Sequence, residues 1–408
     1  MASRSRILLC LMLLALLPRI LFGLSLHGLD QSSDEAHWDG WALYLLEEGV
    51  VKTGSSTFRP PLYPLFLAAV YALFGHSYVA VRLFQALMGA ATCLIIYGLG
   101  RYLFDERAGW VSGVIGAIYP YFIFFSGVLM VEALFILLVA LVGWLTFRIE
   151  RTSSWAGPIA LGGSLGLAVL CKPTALVLFS CVVIWYVVVQ GPRSSVEGLS
   201  SGVSWRALKS WGYVLARLGV VFAAMVGMIL PWTIRNYVVS GHVVWVASNG
   251  GINLIVGNHP EATGVYDGYD YEGYIDRMAP GIEDQVERDR AAMREGMRLL
   301  IMNPWRSIRL AWAKVRAFWG FYPEDAGRAE KWIGLCSYGP VLGLALWGTY
   351  VGRDRWRDEL LFYLFFAAFS LVHMIFFGHV RFRLPMDPFL IVLAGGGLVS
   401  LGRRIGRV

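Results

Sequence analysis

The stretch Val128–Phe147, VLMVEALFILLVALVGWLTF, holds twenty residues and one charge, Glu132, and it stops against Arg148 and Arg151. At about 1.5 Å per residue a helix of that length is about 30 Å long, the thickness of the hydrocarbon layer of a bilayer. Similar runs flank it on both sides. They are approximately Ile7–Leu24, Tyr78–Gly100, Gly109–Ser126, Gly157–Cys171, Thr174–Gln190, Tyr213–Trp232, Trp332–Val351, Glu359–Phe377 and Leu384–Leu401. With the first, ten spans are expected.

The composition agrees with that reading. Of 408 residues 57% are hydrophobic and only 15% charged, with sixteen Trp, against roughly 25% charged in an ordinary globular chain. Such a chain has too few polar side chains to cover a soluble surface. The formal net charge of +7 lies in short clusters between apolar runs, which is an orientation signal rather than a nucleic-acid face. With the N-terminus inside, the inside loops carry Arg101 and Arg107, then Arg148 and Arg151, then Arg193, Arg206 and Lys209, then Arg353, Arg355 and Arg357, and last Arg403, Arg404 and Arg407. Every inside loop is basic. The first run follows Arg4 and Arg6 like a signal peptide but has no small-residue cleavage site, so it reads as an uncleaved span, weakened by Pro18 and Arg19.

Two further apolar segments, 61–75 and 304–322, are too short or too basic to cross. Both are placed outside as interfacial or re-entrant helices. The organisation is then a transmembrane module over 1–234 that includes a first outside region (25–77), a second outside region over 235–331 with amphipathic helices, and C-terminal spans over 332–408. No large soluble domain is expected past the last span. Ser194–Ser204 reads as an inside linker. Cys10, Cys93, Cys171, Cys181 and Cys336 sit in or at apolar runs without a C-x-x-C pair and read as buried, inert thiols.

The charges that matter lie on the outer side. Ser33-Asp34-Glu35-Ala36-His37-Trp38-Asp39 puts three carboxylates and a histidine just after the first span. Asp34 is either a helix N-cap or a general base at the membrane surface. Glu132 either reaches up to the interface or faces a polar cavity, since a carboxylate inside the bilayer costs a few kcal/mol unless paired or hydrated. Arg59, Lys172, Arg235, Arg381 and Arg383 are cations on the side that ordinarily lacks them. Gathered round one cavity they make a phosphate site; taken singly they are snorkelling anchors or, for Lys172, a complement to a helix dipole. His37, His242, His259, His373 and His379 have no metal-ligand spacing. The turn-rich run Ser248–Pro260, with Asn249 and Asn258, reads as a structured outside loop over the cavity.

In order along the chain, Asp34-Glu35, Arg59-Pro60-Pro61-Leu62-Tyr63-Pro64, Arg82-Leu83-Phe84-Gln85-Ala86-Leu87, Gly100-Arg101-Tyr102-Leu103-Phe104, Tyr119-Pro120 to Glu132, Lys172-Pro173, Arg235-Asn236-Tyr237, Asn249-Gly250-Gly251, Gly257-Asn258 and Arg381-Phe382-Arg383-Leu384-Pro385 resemble the landmarks of GT-C-fold membrane glycosyltransferases. They are close to family 39, which includes protein O-mannosyltransferases and aminoarabinose transferases. The resemblance implies an all-α polytopic fold and inverting transfer of a sugar from a polyprenyl-phosphate donor to an acceptor on the extracytoplasmic face. It makes Asp34 the base, with Glu35 able to share that role and Glu132 assisting. Arg59 becomes the donor-phosphate contact, with Lys172, Arg381 and Arg383 as further partners. His37, Arg235, Asn249 and Asn258 fall to the cavity or acceptor loop. Some relatives recruit a divalent metal at the donor phosphate and others none, and no metal ligand set is assigned here. Chain size alone points to a prokaryotic inner membrane, and the basic inside loops put both termini in the cytoplasm. An oligosaccharide ligase and, more remotely, a secondary transporter are the alternatives; a transporter tends to show repeats and interrupted helices at mid-membrane.

Overall fold

The structure is a computed structural model that describes residues 2–29, 34–52, 56–150, 154–196, 205–265 and 270–406; Ser33, Arg151, Arg407 and the linker from residue 197 to Ser204 lie outside them. Each expected span is a helix. They are α1 (Ala2–Ser25), α4 (Tyr78–Leu103), α5 with α6 (Glu106–Ile118 and Pro120–Gly127), α7 (Glu132–Glu150), α8 (Ala156–Cys171), α9 (Leu176–Val196), α10 (Trp205–Ser240), α15 (Arg328–Val351), α16 (Trp356–Ile375) and α18 (Asp387–Ile405). Six stretches are long and apolar enough to cross on their own, or seven with the bent pair α5–α6. The count of ten is compatible with this, since α8, α9 and α15 supply the remainder. Among the described residues there is no strand.

The run Gly109–Ser126 is not one straight helix. It bends by 48° at Tyr119-Pro120, where Tyr119 adopts an extended ψ of 115°. Pro120 has no N–H to continue the ladder, and its ring drives the preceding residue out of the α region. In α1, by contrast, Pro18 is carried inside the helix. The neighbouring Arg19, a mark against that span in the sequence, is fully buried; its guanidinium donates to the carbonyls of Ala15, Ala117 and Gly116. An intramembrane arginine here ties α1 to the end of α5.

Segments 61–75 and 304–322 form α3 (Leu62–Phe74) and α14 (Pro304–Phe318), each too short to cross about 30 Å of hydrocarbon. The segment 25–77 also holds α2 (Asp34–Glu48), and the segment 235–331 holds α11 (Gly250–Val256), α12 (Tyr271–Met278) and α13 (Gln285–Met302). The two regions pack together: Ser248 N donates to Thr57 O at 2.8 Å, and Gln285 Oε1 accepts from Ser56 Oγ and Thr57 N, both at 3.1 Å.

In the bundle α4 packs on α1, α5 and α7, α8 on α7 and α10, α9 on α16, and α18 on α5 and α15. The α15–α18 seam is backbone on backbone. A Cβ on Gly348 would lie 2.2 Å from Leu393 O, and one on Gly397 2.3 Å from Leu344 O, the close approach that small residues permit between apolar helices. One end of the bundle gathers the loops expected inside, where Arg403 pairs with Asp105 at 2.5 Å and Arg355 lies over the Phe104 ring. Of the cysteines, Cys93, Cys171 and Cys181 are buried, while Cys10 and Cys336 are exposed on the bundle's outside, a departure from the expectation that all are buried.

Candidate active site

Asp34 begins α2, Glu132 begins α7, Lys172 follows the last residue of α8, and Arg381 lies on the short helix α17 (Val380–Arg383). Four element ends thus meet at one end of the bundle, and Arg59 joins them from the connection between α2 and α3. The contacts form a single chain of alternating charge. Arg59 Nη2 is 3.4 Å from Asp34 Oδ1, and both Nη1 and Nη2 of Arg381 are 3.2 Å from Asp34 Oδ2. Arg381 Nε is 3.1 Å from Glu132 Oε1, which also accepts from Lys172 Nζ at 2.8 Å. Three cations and two carboxylates leave one positive charge uncompensated.

Burial differs along that chain. The Asp34 side chain is 34% exposed and Arg59 and Arg381 about a quarter, whereas Glu132 is fully buried. Burial raises the Asp34 carboxyl, but the guanidiniums of Arg381 and Arg59 outweigh it and hold the group below its usual value. The other Glu132 oxygen, Oε2, is buried and has no hydrogen-bond partner among the described residues. Aromatic rings fix the cations: Arg59 lies 4.6 Å from the Trp38 ring, and Lys172 lies 5.4 and 5.3 Å from Phe135 and Phe382. His379 caps α17, its Nδ1 accepting from Arg381 N at 3.0 Å. Burial, with Arg381 nearby, pushes that imidazole down to about 4, so it stays neutral and keeps a lone pair for the cap.

The remaining candidates lie elsewhere. Glu35 is buried and turned away from Asp34, its Oε1 accepting from Leu129 N at 2.5 Å. Arg383 is fully buried against Asp387 Oδ1 at 3.0 Å and over the Tyr338 ring at 3.4 Å, with Tyr119 donating to the same aspartate. Arg235 braces the outside loop through Val50 O and Ser56 O. Asn258 holds Leu254 O and Ile375 O and accepts from Lys314 Nζ at 2.7 Å. Asn249 starts α11 without a side-chain cap bond, and His37 is exposed. Asp39, the third loop carboxylate, accepts from Tyr71 and Tyr78 and pairs with His76. Trp38, Phe382 and His379 complete the site without having been assigned from sequence; only Trp38 carried a signal, being one helical turn from Asp34.

Among the described residues no group of three or more His, Cys, Asp or Glu is placed to hold a metal ion. The two site carboxylates are bridged by Arg381.

Residues 58–232 match the family described as dolichyl-phosphate-mannose-protein mannosyltransferase. The oligosaccharyltransferase of Archaeoglobus fulgidus in its apo form superposes with a TM-score of 0.60 at 14% identity, over 98% of this chain and 50% of that one. The chain has the GT-C fold. A second structure of that archaeal enzyme, AglB with an inhibitory peptide and a dolichol-phosphate, gives 0.59 at 14% identity over 98% of the GT-C chain and 50% of its own. ArnT from Cupriavidus metallidurans bound to undecaprenyl phosphate gives 0.43 at 15%, over 97% and 77%. The GT-C chain described here therefore spans half the length of the archaeal enzyme. No curated protein sequence matches it.

Proposed function

We propose that the protein transfers a sugar from a polyprenyl-phosphate donor to a hydroxyl-bearing acceptor at the extracytoplasmic face of a prokaryotic inner membrane, with inversion and with both termini cytoplasmic. The observation that carries this reading is the chain Arg59–Asp34–Arg381–Glu132–Lys172, with its one uncompensated positive charge. A phosphodiester monoanion neutralises it. The match of residues 58–232 to a lipid-phosphate-sugar transferase family and the dolichol-phosphate bound by a protein of the same fold support the choice of donor.

In this reading the donor phosphate takes Arg59 and Arg381 away from Asp34, with Lys172 alongside. As the anomeric carbon–oxygen bond breaks, its electron pair passes to the phosphate, and fixed cations there stabilise the transition state more than the ground state. The acceptor oxygen attacks the opposite face of the sugar and its proton goes to Asp34, whose carboxyl becomes more basic once the guanidiniums have turned to the phosphate. Glu132, fully buried, assists by holding Arg381 and Lys172 beside the phosphate. Arg383 takes no part in phosphate binding, since its guanidinium is already committed to Asp387.

The test is turnover by purified protein of polyprenyl-phosphate monosaccharides against polyprenyl-diphosphate oligosaccharides, with the chain-free sugar phosphate as a control. Transfer from the monosaccharide lipids supports the proposal. Transfer only from the diphosphate oligosaccharides makes the protein a ligase, and sugar movement across vesicles without transfer makes it a transporter.

A further inference from the structure

Arg82 lies near the start of α4, inside a membrane span, and the reaction above does not use it. A buried guanidinium in such a place needs partners. It finds three backbone carbonyls, two in the loop after α1 and one on the last residue of α6: Nη1 donates to Leu26 O at 2.8 Å, Nη2 to Gly28 O at 2.7 Å, and Nε to Gly127 O at 2.9 Å. Gln85, one turn further on, donates from Nε2 to Ser126 O at 3.2 Å and Val128 O at 2.8 Å, while its Oε1 accepts from Tyr63 at 2.8 Å. The loop through residues 26–28 leads from α1 to Asp34, the first residue of α2. Ser126 and Gly127 end α6, and the loop 128–131 leads from there to Glu132, the first residue of α7. Glu35 pins the two together by accepting from Leu129 N.

We infer that Arg82, with Gln85, is a positioning residue that sets the segment leading to Asp34 in register with the segment leading to Glu132, without touching substrate. This rests on the proposed function for its kinetic consequences, but the geometry is independent of it. The guanidinium fork is what the task requires: its donors point in fixed, divergent directions, so one side chain spans two loops, whereas a lysine at the same place is a point charge that satisfies one of them. A displacement of about 1 Å between reacting groups costs on the order of 100-fold in rate.

The test compares Arg82→Lys and Gln85→Leu with Arg19→Lys, a buried guanidinium that also bonds backbone carbonyls but at the end of α5. Per folded molecule, Arg82→Lys should lower kcat by roughly 10- to 100-fold, with donor KM lowered by no more than about fivefold. Its acid limb of kcat/KM should move to higher pH, because Asp34 is no longer held against Arg381 and Arg59. Gln85→Leu should do the same to a smaller extent, and Arg19→Lys should leave the limb in place whatever its stability. An unchanged limb in Arg82→Lys, or an equal shift in Arg19→Lys, overturns the inference. If wild type transfers no lipid-linked sugar, the proposed function fails, and cysteine cross-linking between positions 34 and 132 in a background without native cysteines decides the inference by itself. A short cross-linker should lose efficiency in Arg82→Lys and keep it in Arg19→Lys; equal efficiency in both refutes the positioning role.

Discussion

Replacing Asp34 by asparagine exchanges one side-chain oxygen for an amide nitrogen and separates two roles of the carboxylate. The amide keeps the shape and an acceptor oxygen but cannot take a proton at neutral pH, so a general-base contribution of about 100- to 10,000-fold in kcat is lost, equivalent to roughly 3–5 kcal/mol in the barrier. The second role is competition with the donor. In the structure Asp34 meets Arg59 at 3.4 Å and Arg381 at 3.2 Å, with its side chain a third exposed. Pairs that wet are each worth about 0.2–1 kcal/mol, so together they hold the guanidiniums back from a phosphate by about 1 kcal/mol. Removing that hold tightens donor binding by roughly fivefold. The expected signature is therefore a large fall in kcat together with a lower dissociation constant for the donor. Single-turnover transfer from radiolabelled polyprenyl-phosphate sugar gives the first, and equilibrium binding of the same lipid the second. Turnover within about threefold of wild type would refute the base assignment, because the amide cannot take the acceptor's proton. Loss of activity through weaker donor binding would refute the competition argument and make Asp34 a structural partner of the arginines.

Glu132→Gln should destabilise the protein by about 2–3 kcal/mol, less than the 3–5 of a fully broken buried pair, because Lys172 is partly exposed and Arg381 keeps Asp34; thermal unfolding in detergent against wild type reads it. Gly397→Val should cost at least about 1–3 kcal/mol, since its Cβ meets Leu344 O at 2.3 Å, whereas Gly402→Val, with nothing within 4 Å, should stay within about 0.5 kcal/mol in the same assay. Lys314 is buried, and burial with Arg306 nearby pushes its ammonium from an ordinary 10.5 down to about 7. Between those values the unfolded chain binds the extra proton, so stability rises with pH from about 7 upward. Lys314→Met should flatten that rise, measured as the difference in thermal midpoint between the two proteins from pH 6 to 9.

The helices were legible because hydropathy is a property of each run by itself. What lay beyond the runs depended on packing. Tyr119-Pro120 was read within a single span although the dipeptide forbids an unbroken helix there, so the 48° bend had a local signal that the apolar count overrode. Pro18 shows the converse, a proline that the helix carries. Arg19 and Arg82 look alike in sequence, each a lone cation in an apolar run, and each turned out to serve backbone carbonyls. No sequence pattern states that the carbonyls under Arg82 belong to the two segments that lead into the acid-bearing helix starts.

The charged pairs show where sequence reading stops. Asp34 and Glu35 are adjacent, and adjacent residues on a helix point about 100° apart, so one meets the arginines while the other turns inward to Leu129 N. Arg381 and Arg383 are separated by two positions and do not share a face; one reaches both carboxylates of the site and the other is bound to Asp387. A clue did exist for the latter, because Asp387 stands four residues after Arg383, the spacing at which helical side chains meet. An arginine with a carboxylate at that spacing is already spoken for, whereas one without finds its partner elsewhere, backbone carbonyls for Arg19 and Arg82 and carboxylates for Arg381. Applied to this chain, the rule separates Arg383 from Arg381, which has no acid three or four residues away on either side, and leaves Arg381 as the cation available first to Asp34 and Glu132 and then to a phosphate.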